Sequence, residues 1–426
     1  MRKTVNCMGY VKHHALIISA ILFYLGCSNI LAASTASLIN REASQITGNN
    51  LTQAAKYSTS TLGLYDISTF DIYVEDDIIH VLVGGKHSID DSHISIRYTR
   101  SEDGGQNWKA PIILNHQQPA IIASRGNDIQ LAAKSNHLVA LWQTKGNLPG
   151  MGPMMSYRSQ DKGKTWMPGS NPAKNNDGSQ SHIDLIADQQ GNFHVVWLED
   201  PEENGYQNLR YALSTNKGKQ WNQPVTLDNS TCSCCSNTVV LSPNNGLNVL
   251  YRDMTPRDMS LMQSFNGGRA WQRISTVGDF QWKFNGCPHV GGGLAYLEND
   301  DAAQLHSIVW TGIEDNPGLY HLASYNNGQT WTMPTKLGVT AIHGDIAVHD
   351  SRHIIAIWNE LEADGLSIFY TTSENAGASW VTPTRLTETK NAATQPKLVS
   401  TPHGILAMWT EKPHKQPSRL AWQWLR

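Results

Sequence analysis

The chain has 426 residues, a formal charge of −3 and only 16% charged side chains. That balance gives no basic field for nucleic acid or for an anionic membrane surface, and the length is ample for one large core. Cysteine is scarce, whereas tryptophan, with 14 copies, is frequent.

The first residues have the pattern of an export signal. Arg2, Lys3 and Lys12 precede the apolar run ALIISAILFYLG, which is too short to span a bilayer. Cleavage is expected after Ala33, making residues 1–33 a signal peptide. A lipoprotein signal ending before Cys27 is the alternative, carried by Gly26-Cys27-Ser28 and weakened by Tyr24 where Leu is usual. The mature protein is expected to be exported, whether periplasmic, secreted or lipid-anchored, with no transmembrane segment left after signal removal.

Downstream, SEDGGQNW from Ser101 returns as SQDKGKTW (Ser159), STNKGKQW (Ser214), SFNGGRAW (Ser264), SYNNGQTW (Ser324) and SENAGASW (Ser373), at spacings of 49 to 60 residues. A repeat of this period marks a supersecondary unit used again and again. Within the octet, Asp or Asn can hold backbone amides, Gly permits positive φ and Trp can pin the turn to a sheet. An alternating strand leads into each octet and another lies upstream, as in FHVVWLE and HIIAIWNE. Each unit therefore reads as four strands, A to D, with the octet as the C–D turn.

The octets resemble Asp-boxes, the bacterial neuraminidase repeats of sialidases and related β-propellers. The resemblance implies an all-β propeller with the Asp-boxes on the face away from the site. Counting B–C pairs, which start near Ile78, His137, Asn192, Leu247, Gln304, His353 and Gly404, gives seven blades. The last has no octet and no room for strand D. A strand from residues 54 to 65, inside an N-terminal segment of residues 34–66, is expected to close it, because an open edge invites aggregation. The propeller proper is then 67–426. Six blades, as in sialidases, is the alternative.

The site is expected on the face built by B–C and D–A loops. Acid candidates there are Asp128, Glu199, Asp200 and Asp253. Arg125, Arg252 and Arg257 are candidates to clamp a carboxylate or sulfate, since guanidinium forks match such anions, with Arg252 expected to matter most. Trp282, His182, His289 and His343 complete the substrate-binding set. Cys232, Cys234, Cys235 and Cys287 are expected to form disulfides, one of them linking the CSCC loop to Cys287. No metal and no cofactor are expected. A His182, His289 and His343 metal set, whose wide spacing gives no compact zinc signature, and a soft-metal set of the closely packed cysteines on two loops are the alternatives.

What the resemblance implies is hydrolysis of a terminal sialic acid by three Arg, a Tyr–Glu pair and an Asp. The Arg-Ile-Pro motif expected before the first Asp-box is absent, and ISIRYTR stands there instead. The expected function is thus an exported sialidase-like propeller that binds or hydrolyses a glycan. Its alternatives are a non-catalytic propeller binding a glycan, another anionic ligand or a protein, and a metal- or redox-linked envelope protein built on the Cys/His cluster.

Overall fold

A computed structural model describes residues 57–115, 120–126, 128–202, 207–298, 303–363, 365–388 and 390–425. The expected signal peptide and lipobox lie outside the described residues.

Seven four-stranded antiparallel sheets are present, each with its strands in the order expected for a blade. The first blade runs Asp66–Glu75, Ile78–Lys86, Ile94–Ser101 and Ile112–Ile113. Strand A of every blade neighbours strand A of the next, and Ala392–Thr401 of the seventh returns to Asp66–Glu75 of the first. The ring is a seven-bladed β-propeller. The six-bladed alternative falls, because the C-terminal pair of strands lies in the ring as a blade and not beside it.

Closure is as the sequence suggests, with a shorter strand than the expected 54 to 65. Ser58–Ser60 pairs with Arg419–Leu425, placing Ser58 opposite Trp422 and Ser60 opposite Leu420. Tyr57 secures this short strand. Its ring meets the buried Trp409 at 5.1 Å, and its hydroxyl donates to the buried carboxylate of Glu411, which Arg419 also holds at 2.7 Å.

Each of the seven seams between blades holds one apolar cluster. Alternating strand residues face the two neighbouring blades, as a sheet packed on both sides requires. Trp142, Trp197, Trp358 and Trp409 are wholly buried in these seams.

The octets form one turn six times over. The Ser hydroxyl accepts the amide of the Gly four residues on, at 2.8–3.0 Å. The Asp or Asn side chain accepts the amide four residues after itself, at 2.8–2.9 Å. That Gly has φ between 73° and 80° in every copy, where a Cβ would be strained.

The octet Trp residues pack on the preceding blade, Trp166 on Tyr98 and Trp271 on Tyr211. Trp221 is buried and the other five are half-buried, since the turn sits at the rim of the seam. Trp221→Ala should therefore lose about 3–5 kcal/mol and each of the others less, read as urea midpoints. An equal loss at all six would contradict this ordering.

A second repeat escaped the sequence reading. A strand-B His meets a strand-C Tyr in the first and third blades, with His80 Nδ1 and His194 Nδ1 each 2.8 Å from the hydroxyls of Tyr98 and Tyr211. The fifth blade puts His321 in the Tyr position, stacked on His306 with ring nitrogens 3.1 Å apart. Burial lowers His306 to about 4; burial, then the neighbouring His306, lowers His321 to about 3.

Both rings stay neutral in the folded protein, while the unfolded chain takes up their protons below the ordinary value of about 6.5. Stability from this pair is therefore full above about pH 6.5 and is lost as pH falls toward the folded values. His321→Tyr restores the His–Tyr pair. It should reduce the loss of stability between about pH 6.5 and 5 by roughly 2 kcal/mol, at about 1.4 kcal/mol per pH unit for one group. An unchanged slope of urea midpoint against pH would count against the assignment.

Candidate functional site

Strand A of several blades breaks its register near the B–C/D–A face. Bulges separate Ser181 from Asp184, Ile342 from Asp345, and Thr394 from Lys397. The residues in the bulges, His182, His343 and Gln395, have φ of 51°, 50° and 56°, and His289, ahead of strand Gly292–Leu297, has 55°. Bulges and left-handed residues re-aim side chains and concentrate at functional sites. Here they line one cavity of about 270 Å³ together with Ser124, Arg125, Cys234 and Ser236. Six successive blades thus contribute a D–A loop or a strand-A bulge to this mouth.

The three His expected at the site do converge. His343 bridges inward, its Nε2 3.1 Å from the His289 carbonyl and its Nδ1 3.3 Å from Asn359 Oδ1. His182 Nδ1 is buried with no partner. Burial holds His182 well below its ordinary value, with Arg125 adding to the effect, and lowers His343. Both rings are neutral bases at neutral pH. Arg125 reaches the cavity but is already engaged with Asp128 through Nε and with Gln143 Oε1 at 2.7 Å.

Below the mouth lies a second cavity of about 260 Å³, lined by strand A of all seven blades. Lys397 contacts Asp71 there, and Asp184 and Asp345 share the space. Burial pushes Asp184 up to about 7 and raises Asp345. Asp71, Asp184 and Asp345 each accept a strand-A amide of the following blade, from Leu131, Val239 and Leu398. These acids lock neighbouring blades.

Arg252 corrects the expectation of an anion clamp. It is 1% exposed, and its guanidinium donates to three carbonyls, Val290 at 3.0 Å, Arg257 at 2.5 Å and Trp310 at 2.8 Å. No donor face is left for a ligand, because the loops it braces close over it. Trp282 is likewise no ligand contact, since it is buried beneath Arg252 at 5.5 Å and stacked on Phe284. Arg257 is also buried, its Nε donating to Phe284 O at 3.1 Å.

The acid candidates fare the same way. Asp128 is buried against Arg125, Glu199 pairs with Arg210 at 3.0 Å, and Asp253 pairs with Arg273 at 2.6 Å. Asp200 is wholly buried. None of the four lines the mouth cavity.

The cysteines pair differently from the expectation. The bridge joins Cys232 to Cys235 within one loop, leaving Cys234 and Cys287 free. The bridged pair is three residues apart in one loop, while the Cys234 and Cys287 sulfurs face each other across two loops, within 4.8 Å and unbonded. Burial, then its neighbour Cys287, pushes the Cys234 thiol up to about 12.

The model of the BNR repeat-like domain matches residues 83–304. The chain belongs to that family. No curated protein matches this BNR repeat-like chain. Among solved structures, an ulvan lyase of the PL25 polysaccharide lyases is similar at 11% identity and TM-score 0.56, over 86% of this chain and 94% of the other. A Hadza microbial sialidase is similar at 16% and 0.46, over 71% and 66%. A protein of unknown function from Dyadobacter fermentans is similar at 13% and 0.47, over 86% and 98%. At these identities the likeness is one of fold, and fold does not fix chemistry. Among the described residues no helix is long and apolar enough to cross a membrane.

Proposed function

We propose that this BNR repeat-like protein is an exported propeller that binds an anionic glycan in the mouth cavity without sialidase-type hydrolysis. The observation carrying this reading is the mouth itself. Its lining is Arg125, three His and small polar groups, while every acid expected to hydrolyse a glycosidic bond is buried elsewhere. Glycosidases need two carboxyls flanking the bond, and the cavity offers none. A concave, preformed pocket with a few convergent polar groups is the usual form of a small-ligand site.

A glycan array with the purified mature protein, run beside fluorogenic sialosides, tests this. Binding is expected to glycans bearing uronate or sulfate, weakened in Arg125→Ala, with no sialoside turnover. Turnover of a sialoside, or binding indifferent to Arg125, would sink the proposal.

One observation favours a second reading, elimination at a uronate. His182 and His343 are held neutral beside Arg125, so a base and a carboxylate partner share one cavity. An ulvan lyase with this fold was solved bound to -[GlcA(1-4)Rha3S]-. Release of an unsaturated uronyl product, seen by ultraviolet absorbance and abolished in His182→Ala, whose Nδ1 has no partner, would decide for elimination over binding alone.

A further inference from the structure

Two free cysteines and a histidine stand together at this mouth. Cys234 is buried on the loop entering the fourth blade, and Cys287 and His289 are exposed on the loop entering the fifth. Their sulfurs and ring nitrogen all lie within 4.8 Å of one another.

This spacing is set by the buried frame. The Arg252 carbonyl accepts the Cys232 amide at 2.9 Å, fixing the first loop. The Arg252 guanidinium holds the Val290 carbonyl, one residue beyond His289, fixing the second. Sulfurs bound about 2.3 Å from one tetrahedral ion sit roughly 3.8 Å apart, which side-chain rotation can reach from here. Thiolate and imidazole together select Cu(I) or Zn(II) over oxygen-seeking Mg²⁺ or Ca²⁺.

We propose that Cys234, Cys287 and His289 form a three-ligand site for a thiophilic d10 ion, Cu(I) or Zn(II). Binding replaces the two thiol protons with two metal–sulfur bonds, releases both protons to solvent and transfers no electron. Cys234 and His289 also line the mouth cavity, so the ion borders that space with its fourth position open, the arrangement of sites that exchange a ligand. The site does not rest on the glycan reading, because the metal is measured with no glycan present.

The test uses the full chain, reduced and handled without oxygen, dialysed against Zn(II) alone and separately against Cu(I) held by a chromogenic chelator. One ion per chain is expected in at least one arm. Loss of an outer-sphere partner alone lowers affinity about 10–100-fold, so Cys287→Ser and His289→Ala should each lower it by about 100-fold or more. Both side chains are exposed, and the metal-free variants should melt with the parent. Co(II) should give a thiolate charge-transfer band that Cys287→Ser removes. Failure to bind either ion, equal binding in both variants, or a Cys234–Cys287 disulfide in the chain as isolated would overturn the site. Failure to bind either ion leaves the glycan reading standing, since that reading is tested at Arg125 with no metal present.

Discussion

Arg252→Met is expected to cost the protein roughly 3–5 kcal/mol of stability, at the upper end of single substitutions. The methionine fills much of the same space but leaves the carbonyls of Val290, Arg257 and Trp310 in a dry interior with no donor. Each stranded acceptor costs about 1–3 kcal/mol, and partial relaxation keeps the sum below three full penalties. Arg252→Lys should recover only part of the loss, because one ammonium cannot copy a planar fork. Denaturant midpoints of the three proteins check this, and a Met variant with the parent's midpoint would refute it. The same substitution should disturb the Cys/His cluster, since Arg252 ties down both of its loops.

Truncation to Thr61 is the second large effect. It removes Tyr57 and the strand Ser58–Ser60, uncovering the outer edge of the last strand at Leu420–Trp422. A bare edge is a template for pairing with other chains, and Glu411 loses the hydroxyl that meets it in the interior. The truncated chain should aggregate and elute as oligomers in size-exclusion chromatography. Tyr57→Phe keeps the strand and the ring contact with Trp409, so it should elute with the parent and have reduced stability. A truncated chain that elutes with the parent and keeps its melting temperature would show that closure lies elsewhere.

The fold was readable because its determinants are local. Six Ser, Asx, Gly and Trp spacings specify the turn residue by residue, and the B–C pairs beginning near Ile78 and ending near Gly404 count the blades. The convergence of His182, His289 and His343 was also legible, since a D–A loop must open on that face. The roles of Arg252 and Trp282 were not, because a Tyr-Arg-Asp string looks the same whether the guanidinium meets a ligand or three carbonyls from other loops. Carboxylates suffered the same ambiguity. Asp128, Glu199 and Asp253 sit on the expected side but turn to Arg125, Arg210 and Arg273. The disulfide needed a choice among four sulfurs that spacing alone leaves open. The His–Tyr pairs went unseen because strand alternation hides which inward residues touch.

Shared ownership of the seventh blade has a topological corollary. Ser58 lies opposite Trp422 on an antiparallel neighbour, so a short hairpin from Leu425 back to Tyr57 would join the two strands without crossing the ring. The circle of blades then has no privileged starting point, and new termini can be cut in an exposed Asp-box turn, where circular permutation is best tolerated. Such a permutant would carry the seventh blade as one continuous segment and move the seam between chain ends to a blade of the experimenter's choosing.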